Sequence, residues 1–240
     1  MSTRARSTAL AVGSAIALSA ATLWTVLIEA RVTVEAPPEW AVGSDFGEFL
    51  ERWYAWQATT LGQEYWALAL LCVGLLGVVV SALRIARGGT ARRSAAAAIA
   101  AGASLWAAVS LAQSASRHAI EQMAASGNQI DAVNSIAFTV DTTAGWMHAG
   151  ASAVLGLGLL VLATGAGSRT WRGLSAAAGI AAWALAWLLF AETDASRYAG
   201  LVVGALLLPL WTVFVWLRWT DQPIERRETR VAGAGVALPR

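Results

Sequence analysis

The chain has 240 residues, of which 57% are hydrophobic and 13% are charged, and its formal net charge is +2. Soluble domains typically carry about 25% charged residues, so these totals exclude a water-facing globular surface. No clustered basic face points to nucleic acid. All 17 basic residues are arginines, which excludes a lysine Schiff base and hence a retinal-linked pump of the usual kind. We therefore predict an integral membrane protein whose main surrounding is the lipid bilayer.

Six apolar runs follow one another along the chain, each long enough to cross a bilayer. Because lipid offers no hydrogen-bond partners, the backbone N–H and C=O groups of each run must bond to one another, which requires a helix. The prediction is an all-α, polytopic transmembrane helix bundle that forms one domain over residues 1–220. Its spans lie near 8–30, 65–86, 94–116, 144–166, 173–191 and 198–218.

Arginines cluster at the N-terminus, in alternate loops and in the tail, whereas acidic residues dominate the other loops. Cytoplasmic loops of membrane proteins carry the excess of basic residues, so we expect both termini to be cytoplasmic. Cleavage of the first span as a signal peptide is an alternative, although its apolar stretch exceeds the usual h-region of about 7–15 residues. The clustered arginines are Arg4, Arg6, Arg84, Arg87, Arg92, Arg93, Arg169, Arg172, Arg226, Arg227 and Arg230.

The first outer loop contains the sequence SDFGEFLERWYAWQ at residues 44–57. Ser44 is a favourable N-cap, and large apolar residues recur after it at helical spacing. We predict a short helix in the outer interface, which serves as an aromatic anchor or, alternatively, as a lid over a cavity. The apolar face of this helix consists of Phe46, Leu50 and Trp53.

Other local patterns concern packing more than chemistry. The small residues of GASAVLGLG at 150–158 favour close contact between helices. Pro209 lies within the last span and predicts a kink there. The single cysteine, Cys72, excludes an intrachain disulfide and CxxC motifs. The tail at 221–240 is polar and then rich in Gly and Ala, so we predict it to be disordered.

A polar stripe enters the fourth span. The helical pattern extends upstream of the apolar run and predicts one continuous helix from Asp131 to Thr164. Ionisable groups that face lipid are costly, so we expect the stripe to face the interior of the bundle. Its members are Asn134, Asp141 and His148 at heptad spacing, with Ser152 one turn further.

His118 and Glu121 lie three residues apart near the end of the third span, at the same outer surface as Asp141 by the expected topology. One hypothesis is a zinc or iron site with ligands His118, Glu121, Asp141 and His148, or a haem held by the two histidines. A second is a ligand or proton site without metal, at Asp141, His148, Asn134 and Ser152. A third gives these residues structural roles alone.

The C-terminal half, about 139–219, resembles small six-span bacterial membrane proteins classed as domains of unknown function. The likeness rests on DTTAGWMHAGASAVLGLGLLVLAT, a short Arg-bearing turn, and the Trp-bearing helices GIAAWALAWLLF and YAGLVVGALLLPLWTVFVWLRW. The resemblance implies the six-span architecture and no activity. Together with the Arg-only composition it favours a bacterial cell membrane.

These patterns predict a non-enzymatic membrane protein with a polar pocket toward the extracytoplasmic side. Such a protein would bind or pass a small molecule, or act as the accessory subunit of a membrane complex. The alternatives are a membrane-embedded enzyme that uses a metal or a His/Asp acid–base pair on a lipid-like substrate, and a structural scaffold. A membrane-protein partner or a second copy of the chain is the expected protein contact.

Overall fold

A computed structural model describes residues 3–35, 61–86, 89–126, 129–165 and 167–219, which form helices and no strand. Six helical stretches among these residues are long and apolar enough to cross a membrane, which confirms the all-α, six-span bundle. The helices are α1 (Thr3–Glu35), α2 (Leu61–Ile85), α3 (Thr90–Ala125), α4 (Ile130–Thr164), α5 (Arg169–Phe190), α6 (Ala195–Leu201) and α7 (Leu208–Trp219), the last two joined by a π-helical segment, Val202–Leu207.

Helices α3 and α4 extend well beyond the apolar runs that predict them. The 36 residues of α3 span about 54 Å at 1.5 Å per residue, compared with a hydrocarbon core of about 30 Å. Helix α4 runs from Ile130 to Thr164 without a break, as the pattern upstream of the fourth apolar run predicts. Both helices therefore carry polar turns past one end of the apolar region. The predicted interfacial helix at 44–57 and the tail at 221–240 lie outside the described residues.

The helices form a ring in chain order. Each helix packs beside its neighbour in sequence, and the sixth span, formed by α6, the π-helical segment and α7, returns to α1 and closes the ring. We call the end of the ring that holds Glu64, His118 and Phe190 the outer end, and the end that holds Arg84, Ser168 and Arg218 the inner end. The outer end is the one that the arginine pattern predicts to be extracytoplasmic.

Close packing of α3 against α4 depends on glycine. A Cβ atom on Gly102 would lie 2.6 Å from the backbone nitrogen of Leu155, and one on Gly158 would lie 2.7 Å from the Ala95 carbonyl oxygen. Small residues let helix backbones approach one another within a membrane. The contact predicted from GASAVLGLG is therefore present. Similar close approaches occur at Gly74 and Gly77 between α1 and α2, and at Gly156 and Gly179 between α4 and α5.

The inner half of the bundle has a dense aromatic core. Trp171 stacks on Trp211 and on Phe214, with ring centroids 5.9 and 6.0 Å apart. The indole of Trp211 donates a hydrogen bond to Ser175 Oγ at 3.3 Å, so the fully buried ring also satisfies its polar atom. These rings belong to one buried apolar cluster that has members from all six spans.

The sixth span departs from α-helical geometry just before Pro209. Proline lacks an N–H, so a regular helix would leave the Ala205 carbonyl, four residues earlier, without its donor. Here the π-helical segment precedes Pro209, and Ser19 Oγ of α1 donates to the Ala205 carbonyl oxygen at 2.8 Å. A hydroxyl from a neighbouring helix thus replaces the missing backbone donor.

Candidate functional site

A cavity of about 370 Å³ occupies the outer half of the ring. All six spans contribute side chains to its wall. The lining includes Leu18, Thr22, Thr25 and Val26 of α1, Glu64, Ala67, Leu68, Leu71 and Leu75 of α2, Trp106, Ser110, Gln113, Ser114 and Arg117 of α3, His148 of α4, Leu185 and Leu189 of α5, and Ser196, Arg197, Gly200, Leu201, Gly204 and Leu208 of the sixth span.

The wall of the cavity changes from polar at its outer end to apolar at its floor. In five of the six spans the lining residue closest to the middle is apolar, with Leu18, Leu75 and Leu208 at the floor, whereas in α4 that residue is His148. Charged residues line the opposite end, where Glu64 and Arg117 lie near the outer ends of their helices. The cavity is therefore amphipathic along its long direction, with an apolar floor near the middle of the bundle and a polar outer end.

The polar part of the wall continues into hydrogen bonds between α3 and α4. Ser110 Oγ lies 3.0 Å from His148 Nε2. Two turns further out, Arg117 Nε donates to Asp141 Oδ1 at 3.2 Å, and Gln113 Nε2 donates to the same oxygen at 2.9 Å. A step of seven residues along α3 is thus matched by a step of seven in the opposite direction along α4, as expected for antiparallel helices.

His148 lies at the meeting point of the polar and apolar parts of the wall. Its ring contacts Trp106 in an edge-to-face arrangement with centroids 6.0 Å apart, and its Nε2 atom lies within hydrogen-bond distance of Ser110 Oγ. These two contacts hold the imidazole ring against α3. His148 is therefore a well-held hydrogen-bonding group in the cavity wall.

The four polar residues of the α4 stripe have different environments. His148 lines the cavity, and Ser152, one turn deeper, is fully buried, with a hydroxyl that has no hydrogen-bond partner among the described residues. Asp141 is exposed, although it is bonded to α3, and Asn134 is half-buried nearer the outer end. Asp141 and His148 bond separate groups on α3, so the structure does not pair them with each other.

The residues suggested for a metal site are similarly dispersed. His118 contacts Tyr65 of α2, with ring centroids 6.4 Å apart, and its Nε2 lies 2.9 Å from Gln122 Nε2. His148 instead contacts Ser110 and Trp106, so the two histidines occupy different surroundings. Within the described ranges, no three His, Cys, Asp or Glu residues group as they would around a metal ion. The suggested set His118, Glu121, Asp141 and His148 is not brought together.

Several cavity residues are absent from the candidates derived from sequence. Ser110 is the partner of His148, and Gln113, Arg117, Glu64 and Arg197 contribute further polar groups to the wall. A signal for part of this set exists in the sequence. Ser110 and Arg117 are seven residues apart, which is the spacing of Asp141 and His148, so two antiparallel helices could align the two stripes.

No family model, no curated protein and no solved structure matches the chain. Function is therefore inferred from the cavity and the groups that line it.

Proposed function

We propose that this membrane protein binds a small amphipathic molecule in the outer cavity, with the apolar part of the ligand on the leucine-lined floor and its polar group beside the charged residues. The observation that carries the proposal is the change from an apolar floor to a polar outer end within one cavity. A ligand with both kinds of surface would satisfy both parts of the wall. The arginine pattern supports an extracytoplasmic position for the polar end.

The dimensions of the cavity support a small ligand. Binding pockets usually measure about 300–1,000 Å³ and combine apolar walls with a few polar groups that orient the ligand. At about 370 Å³ the cavity lies near the lower limit of that range. A single-chain or small-ring amphiphile is accordingly the favoured ligand class.

A glycine in the cavity wall gives a direct test. Gly200 of α6 lines the cavity, and a Cβ atom added there meets no heavy atom within 4 Å, so the leucine of Gly200→Leu has room to enter the space. Gly150 of α4 is exposed and equally unobstructed, which makes Gly150→Leu the matched control. The probe is a dansylated single-chain fatty acid, and its fluorescence is measured with purified protein in detergent.

The expected result is that Gly200→Leu weakens probe binding at least about tenfold, which corresponds to about 1.4 kcal/mol, while Gly150→Leu binds as the wild type does. Equal binding by the two variants would place the probe outside the cavity and contradict the proposal. If the wild type binds neither this probe nor its alcohol analogue, ligand binding fails and the scaffold alternative is favoured.

A second function is favoured by one specific contact. Ser110 Oγ and His148 Nε2 are 3.0 Å apart, within the range of a nucleophile and its general base, and both line the cavity. We propose as the alternative that Ser110 attacks an acyl carbon of the bound amphiphile. His148 Nε2 would take the hydroxyl proton and deliver it to the departing alcohol, and water would then hydrolyse the acyl-serine. This pair replaces the His/Asp pair suggested by the sequence.

Labelling distinguishes the enzyme from the binding protein. A fluorophosphonate probe forms a bond to an activated serine with loss of fluoride, and peptide mass spectrometry identifies the modified residue. The enzyme hypothesis predicts a label on Ser110 that is lost in His148→Ala. Ser114 also lines the cavity, so Ser114→Ala is the control and should retain the label. Absence of label in the wild type would contradict the enzyme hypothesis and leave amphiphile binding intact.

A further inference from the structure

A second group of polar residues lies beside the cavity, at the outer end of α2 and α3. Its central member is Glu121, and only 7% of the surface of this residue is exposed. Glu121 Oε2 is buried and has no hydrogen-bond partner among the described residues. Polar atoms that are buried in a protein almost always have a partner, so an unpaired carboxyl oxygen indicates a group that can bind another species, such as a proton.

A complementary unpaired atom lies one turn away. Gln122 Nε2 is a donor, so its 2.9 Å contact with His118 Nε2 leaves the imidazole proton on Nδ1. That Nδ1 atom is also buried without a partner in the described part of the chain. His118 and Glu121 are three residues apart on α3 and hence on the same face.

The charges around Glu121 oppose its ionisation. On α2, Glu64 acts on it with a like charge, and Tyr65 contacts the neighbouring His118. On α3, Arg117 contributes a weaker, opposite effect, and its guanidinium is bonded to Asp141. On α4, the apolar Val133, Ala137 and Val140 belong to a cluster with Ile120, the residue before Glu121. After burial itself, the largest influence on Glu121 is therefore the like charge of Glu64.

A buried carboxylate with an unsatisfied oxygen and an anionic neighbour has a high free energy, and such a group usually becomes neutral by binding a proton. We infer that the carboxyl group of Glu121 is a proton-binding site at the outer end of the bundle, which takes up and releases a proton while the protein remains folded. The protonated form supplies an O–H donor and removes the repulsion from Glu64. Glu121 is not among the residues that line the cavity, so this site is separate from the cavity wall.

Glu64 connects the proton site to the cavity because it lines the cavity and acts on Glu121. A cationic group beside Glu64 would offset its charge and favour release of the proton from Glu121. This link rests on the proposed amphiphile binding, whereas the proton site itself does not. The test therefore contains no ligand.

The experiment is infrared spectroscopy of the purified full-length protein in detergent as a function of pH, since a protonated carboxyl has a C=O stretching band distinct from that of a carboxylate. The wild type should show this band at neutral pH, and Glu121→Gln should lose it while remaining folded, because the amide resembles the protonated acid in shape. Glu64→Gln should move the midpoint of the band to lower pH, since it removes the like charge. Asp194→Asn, at an exposed carboxyl in the turn before α6, should change neither result.

Thermal unfolding gives a second reading of the same site. If the folded state binds a proton that the unfolded state has released, stability falls as pH rises through the titration of Glu121. Glu121→Gln should remove this part of the pH dependence. The inference is overturned if the neutral-pH spectrum of the wild type contains no band that Glu121→Gln removes, or if Glu64→Gln leaves the midpoint unchanged. Neither outcome depends on whether the cavity binds an amphiphile.

Discussion

At the inner end of the bundle, the indoles of Trp211 and Trp216 donate to Ser175 and Ser81, and the Arg84 guanidinium lies 3.4 Å from the centroid of the Trp216 ring. At the outer end, all six spans line a cavity, and Glu121 and His118 retain buried atoms without partners among the described residues. In the inner half, Thr212 Oγ1 is also such an atom among the described residues. Satisfied, close-packed groups stabilise a fold. Unfilled space and unsatisfied groups lower stability and are typical of sites that bind something.

Removal of a tryptophan should give the largest difference in stability loss between the inner and outer halves. Trp211 is completely buried in the inner core, so Trp211→Ala should cost about 3–5 kcal/mol in unfolding free energy. Trp106 already has one side on the cavity, so Trp106→Ala should cost clearly less. The free energy of unfolding is measured by denaturant titration in detergent micelles. Equal losses would indicate that the outer half is packed as tightly as the inner half.

Substitutions that add side-chain volume should have the next largest effect on stability. Leucine at Gly158 in the inner half would meet the backbone of α3, so Gly158→Leu should destabilise by about 1–3 kcal/mol or more through overpacking. Gly200→Leu should leave the melting temperature nearly unchanged, because its side chain enters empty space. Differential scanning fluorimetry of both variants provides the measurement. A large loss of stability in Gly200→Leu would show that the cavity cannot accept a side chain.

The smallest effect is expected at the ion pair of the outer end. The side chains of Arg117 and Asp141 are 41% and 47% exposed, so their coupling should contribute less than about 1 kcal/mol. A double-mutant cycle with Arg117→Gln and Asp141→Asn measures this coupling from unfolding free energies. A coupling of several kcal/mol would mean that the outer helix ends depend on this pair as strongly as the inner end depends on its tryptophans.

The number and type of spans follow from the sequence because the cost of an unpaired backbone in lipid forces each long apolar run into a helix. The continuous helix through Asp141 and His148 is also predicted correctly, since its heptad pattern does not stop where the apolar run begins. The close approach of α3 to α4 is indicated by the small residues of GASAVLGLG, and the structure has it at Gly158. These features depend on the local spacing of apolar and small residues and on a single solvent, the lipid bilayer.

The partners of the candidate residues were decided by tertiary structure. Heptad spacing places Asp141 and His148 on one face of α4, but it does not say which residues of α3 lie opposite them. The relative shift of two antiparallel helices depends on their connection and on where glycines let the backbones meet. The matching spacing of Ser110 and Arg117 is visible in the sequence, but only the folded bundle shows that these two residues lie opposite His148 and Asp141.

The cavity and the burial of Glu121 both arise from the way several helices pack together. A cavity is the volume that side chains from six spans leave unfilled, so the sequence of any single helix cannot predict it. The burial of Glu121 likewise arises only in the folded bundle, because the separate sequences of α2 and α3 do not show that Glu64 and Glu121 act on each other. The sequence by itself determined the helices and their polar faces, and the packing of those faces decided which groups meet.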